Sequence, residues 1–69
     1  MKFICIQIYR EKEIRTENSL TNVWGEIVRV VEANTEEEAI GKFILQTRYV
    51  NAVEKLGVSC YKLENLKKL

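Results

Sequence analysis

Histidine is absent from these 69 residues, and glycine and cysteine are scarce, with three and two copies. Each shortage removes a class of chemistry. Histidine is the side chain that titrates nearest neutral pH and the commonest acid–base catalyst. Zinc sites are built from four Cys, His or acidic ligands at short spacings, and Cys5 and Cys60 lie at opposite ends of the chain. The glycines stand alone at 25, 41 and 57, so no Gly-rich loop can cradle a phosphate. Ser19 and Ser59 sit in no nucleophile motif. The expectation is a protein that is not an enzyme, with no metal, cofactor or small-molecule substrate. No run approaches the ~20 apolar residues of a membrane-spanning helix, and no secretory leader is visible. Cys5 falls in the first predicted strand and Cys60 in the last, so pairing is open to them; the expectation is two free, buried core thiols in a reducing cytoplasm.

What the chain does have is apolar residue content of 46% at a net charge of only +1. The length predicts one domain, residues 1–69, of marginal stability. Residues 2–10 alternate: Ile4, Ile6 and Ile8 point one way, Phe3, Cys5 and Tyr9 the other. Residues 23–33 alternate in the same manner, with Val23, Ile27 and Val31 against Trp24, Val28 and Val30. Both faces of the resulting sheet are therefore apolar. Between the two strands, residues 11–22 are polar and read as a long loop.

The run Asn34-Thr35-Glu36-Glu37-Glu38-Ala39-Ile40 is a helix start. Thr35 is the N-cap, Glu38 completes a capping box with it, and three carboxylates favour the positive end of the helix dipole. Ala39, Ile40, Phe43, Ile44 and Thr47 form the buried stripe of a helix from Glu36 to about Arg48. Gly41 interrupts it at a cost of about 1 kcal/mol relative to Ala, which a close backbone approach would offset. A break is expected near Tyr49–Asn51, then a short helix capped by Asn51 and stopped by Gly57. Residues 58–64 form a third strand. The fold class is α+β: a β-β-α-β domain whose three-stranded sheet has the order 2-1-3, with one main helix on one face. The third strand is expected beside the first and parallel to it.

One helix cannot cover two apolar faces, and that surplus predicts a protein-binding module, expected as a homodimer. Tyr9, Trp24, Val28, Val30, Tyr49 and Tyr61 are the candidate contact residues, because amphipathic aromatics dominate interface hot spots. Tyr9 and Trp24 are expected opposite the isoleucine row, on the face the helix leaves bare. The alternative is binding of RNA or DNA. It would use Arg10, Lys12 and Arg15 in a basic loop (residues 10–15) with Lys62, Lys67 and Lys68 in the tail (residues 62–68). It requires the two groups to meet in space.

The passage Val30–Ile40 resembles the strand-to-helix junction of small phage and mobile-element proteins of the DpnD/PcfM-like family, which show a similar V-x-A-x-(S/T)-x-E-E-A-I pattern. The resemblance covers about a dozen residues and transfers no functional residue. Small size, the absence of a catalytic set and a surplus apolar face are also features of phage-encoded inhibitors such as anti-CRISPR proteins. By analogy of class, the resemblance implies an inhibitor that covers a surface of a host defence protein.

Overall fold

The computed structural model describes residues 1–66. Strand β1 (Lys2–Arg15) and strand β2 (Leu20–Glu32) form one long antiparallel hairpin. Helix α1 (Glu36–Thr47) follows, then the short strands β3 (Glu54–Lys55) and β4 (Ser59–Lys62) and a final turn of helix, α2 (Leu63–Leu66). The α+β class and the adjacency 2-1-3 are observed, and β3 adds a fourth strand to the sheet.

The hairpin corrects the expected loop. Residues 10–15 belong to β1, and pairing continues to Arg15 opposite Leu20. Only Thr16–Ser19 turn the chain, closed by the Thr16 N–H donating to the Ser19 carbonyl at 2.9 Å. The polar residues form an arm rather than a loop because pairing across the two strands orders the backbone, while the outward N–H and C=O groups and the polar side chains face water. The register slips between Arg10 and Lys12, a bulge that sets the arm off from the sheet proper.

Helix α1 begins as its capping residues dictate. The Glu38 N–H donates to Thr35 Oγ1 at 3.2 Å. The Glu38 carboxylate reaches back to the Asn34 N–H, one residue before the expected Thr35 amide, also at 3.2 Å. Ala39, Phe43 and Thr47 are its buried stripe. Inside that stripe the Thr47 hydroxyl donates to the Phe43 carbonyl.

Past the break at Tyr49–Asn51 the chain is extended, not helical. Glu54 and Lys55 pair with Arg10 and Tyr9. The Val53 and Leu56 N–H groups donate to the Arg10 and Ile8 carbonyls. The free edge of β1 captures this segment, since the Ile8 and Arg10 carbonyls there gain partners.

Strand β4 lies beside β1, as expected, but antiparallel to it. Strand β2 ends at the Lys2 end of β1. Twelve helical residues span about 18 Å, and residues 48–53 complete the passage along the sheet to the Arg10 end. Residues 54–62 then run back, so the parallel crossover relates β4 to β2 with β1 between them.

That return places Cys60 directly opposite Cys5, with Cα atoms 4.2 Å apart, and the two are joined as a disulfide. The expected free thiols are therefore corrected, and the reducing compartment inferred from them loses its support. No helix among the described residues is long and apolar enough to cross a membrane.

The core lies between α1 and one face of the sheet. Phe3, Cys5, Ile27, Val31 and Cys60 from the strands meet Ala33, Ala39 and Phe43, with Tyr9, Ile40, Val50 and Val58 at its margin. Buried Gln7 is satisfied by donating its side-chain N–H to the Leu56 carbonyl at 2.6 Å.

Candidate functional site

Residues opposite one another in an antiparallel ladder share a face. Phe3, Cys5, Gln7 and Tyr9 pair with Val31, Arg29, Ile27 and Gly25, and this is the face that α1 covers. Lys2, Ile4, Ile6, Ile8 and Arg10 pair with Glu32, Val30, Val28, Glu26 and Trp24 on the opposite face, where α2 lies beside Lys2, Ile4 and Ile6 are half-buried and Ile8 is exposed. On the other flank of β1, Tyr61 stands beside Ile4 and Ser59 beside Ile6. Val30, Ile4 and Tyr61 thus form one apolar row across three strands, and Val28 and Ile6 form the next. Ile8 is 46%, Val30 54%, Tyr61 52% and Trp24 49% exposed. Large contiguous apolar surface is the physical feature by which interaction sites differ from ordinary protein surface.

The rim carries both signs. Lys2 and Glu32 face each other at one end. At the other, Arg10 lies between Trp24 and Glu54, with its Nε 3.7 Å from the Glu54 carboxylate and its Nη1 3.6 Å from that of Glu13. The Met1 ammonium donates to Glu32 at 2.6 Å, and this hydrogen bond is the main cause of a Glu32 carboxyl held below its ordinary value.

Of the six expected contact residues, the open face brings together Trp24, Val28, Val30 and Tyr61. Two are corrected. Tyr9 lies on the covered face, packed against the core and across Gly25. Tyr49 lies at the end of α1, where its hydroxyl accepts from Arg29 at 3.0 Å. Trp24 sits with the isoleucine row, not opposite it. The residues missed were Ile4, Ile6 and Ile8 themselves. Their alternation was legible, but the side that the helix takes was not. The small side chain of Cys5 on the other face marks where α1 approaches closely, its sulfur 4.0 Å from the Ala39 carbonyl.

The basic residues do not converge. Arg10 and Arg15 both pair with Glu13, and they lie with Lys12 toward the arm. Lys62 stands opposite Phe3 at the far end of β1, seven or more residues away, roughly 23 Å at the rise of a strand. Lys67 and Lys68 lie outside the described residues.

Comparison with protein-family models, with curated proteins and with solved structures finds no match.

Proposed function

We propose that this chain is a non-enzymatic protein-binding module, and that its open sheet face receives an apolar patch on a partner protein. The observation that carries this reading is the row Val30–Ile4–Tyr61, flanked by Val28–Ile6 and ending on Trp24, with Val30, Tyr61 and Trp24 each about half exposed. Tyr61 and Trp24 supply large rigid contact area at low entropic cost, as hot-spot residues do. A rim holding Lys2, Glu26, Glu32 and Arg10 matches the mixed-charge rim of a protein interface rather than a phosphate backbone. The chain exposes 5205 Å², against about 4,500 Å² for a compact monomer of this mass.

Crosslinking tests the reading. A photo-crosslinking side chain at Val30 should join the protein to one defined partner in extract of its native cell. That adduct should persist at high salt and disappear in V28D, whose unfolding midpoint should match the parent. Equal adducts from a crosslinker at exposed Gln46, on the helix side, would overturn it. So would an adduct lost on raising salt.

A further inference from the structure

The side of α1 turned away from the sheet carries a second pattern that the fold itself does not use. At 100° per residue, Gly41 and Leu45 point opposite the Ala39–Phe43–Thr47 stripe, flanked by Glu37, Ile44 and Arg48. Leu45 is 66% and Ile44 51% exposed. A Cβ at Gly41 would meet nothing within 4 Å, so no strand of this chain explains the glycine. Neither Glu37 nor Arg48 has an ion pair among the described residues.

The order along the face is acidic, glycine, two large apolar residues, basic. We infer that a second copy of this chain docks here, helix to helix and antiparallel about a twofold axis. Residues whose numbers sum to 85 then meet. Glu37 faces Arg48 of the other copy at both ends of the contact, and Ile44 enters the notch at Gly41, with Leu45 beside it. A glycine at this position lets two helices pack at the close end of their usual 8–10 Å separation. The antiparallel arrangement also opposes the two helix dipoles favourably. A parallel pairing would set Glu37 against Glu37 and Arg48 against Arg48. The pattern therefore selects both the occupant and its direction. This contact is separate from the open sheet face, and either assignment stands without the other.

Light scattering on the eluting protein decides it. The parent should show twice the 8.1 kDa mass of the chain. L45E should be monomeric. E37R and R48E should each raise the dissociation constant about tenfold or more, and the double variant E37R/R48E should restore it. Circular dichroism reports whether α1 is intact in each. A parent that is monomeric at several hundred micromolar would overturn the inference. So would a dimer indifferent to all three helix positions, or one dissociated by V30D instead, which would place the self-contact on the sheet face.

Discussion

The ring of Tyr9 occupies the space that a side chain at Gly25 would need. These two residues are register partners on β1 and β2, and a Cβ built on Gly25 would lie 2.5 Å from Tyr9 Cζ and 2.6 Å from its hydroxyl oxygen. The glycine weakens a strand interior, and the aromatic side chain across the ladder covers the gap. G25A should therefore destabilise the protein by about 1–3 kcal/mol, as overpacking does, despite its better backbone propensity. Urea unfolding measures the change. A stabilised G25A would show that the ring moves aside freely and that the contact constrains nothing.

Gly41 should behave in the opposite way. With open space where its Cβ would be, G41A should stabilise the isolated chain by about 0.8–1 kcal/mol through helix propensity alone. The measurement belongs in the monomeric L45E background, because the added methyl also crowds the proposed helix–helix notch. Lower stability there would mean that the glycine serves the fold and not a partner.

The Cys5–Cys60 link joins strands that are far apart in sequence, with a separation of 55. Closing a loop of that size in the unfolded chain predicts about 4 kcal/mol of stabilisation as an upper figure. Reduction should lower the denaturation midpoint markedly. It should also speed amide exchange in Ser59–Lys62 first, since β4 is held to the sheet only through β1. Coincident unfolding curves with and without reductant would contradict this.

Acid should weaken the helix start. The Glu38 carboxyl is held below its ordinary 4.5, chiefly by the Asn34 N–H and then by Lys42. Depression of a carboxyl in the folded state means that its stabilisation is present above that ordinary value and is lost as pH falls through the folded one. Stability of the parent should therefore drop below about pH 4.5 more steeply than that of E38Q. Glu32, held down first by the Met1 ammonium, adds loss of the same sign. Parallel pH profiles for the two proteins would show that the capping carboxylate contributes nothing.

Local chemistry alone determined a large part of this molecule. The Thr35–Glu38 cap, the helix that it starts, the break at Tyr49–Asn51 and the two-sided alternation of residues 2–10 all depend on neighbours within a few positions, and each was legible. Alternation states that a strand has two faces, but it has the same form whichever face is buried. Only the path of α1 over Phe3 and Cys5 decided that the row Ile4, Ile6 and Ile8 lies on the other face. Likewise, helix length carried the chain to the Arg10 end of the sheet, and that arrival made β4 antiparallel and set Cys60 against Cys5. The arm reads as a loop by its polar composition, because backbone pairing, which no side chain announces, supplies its order. Contacts between residues 5 and 60, or 9 and 55, are made by the closure of the whole fold, and no short window of sequence contains both partners.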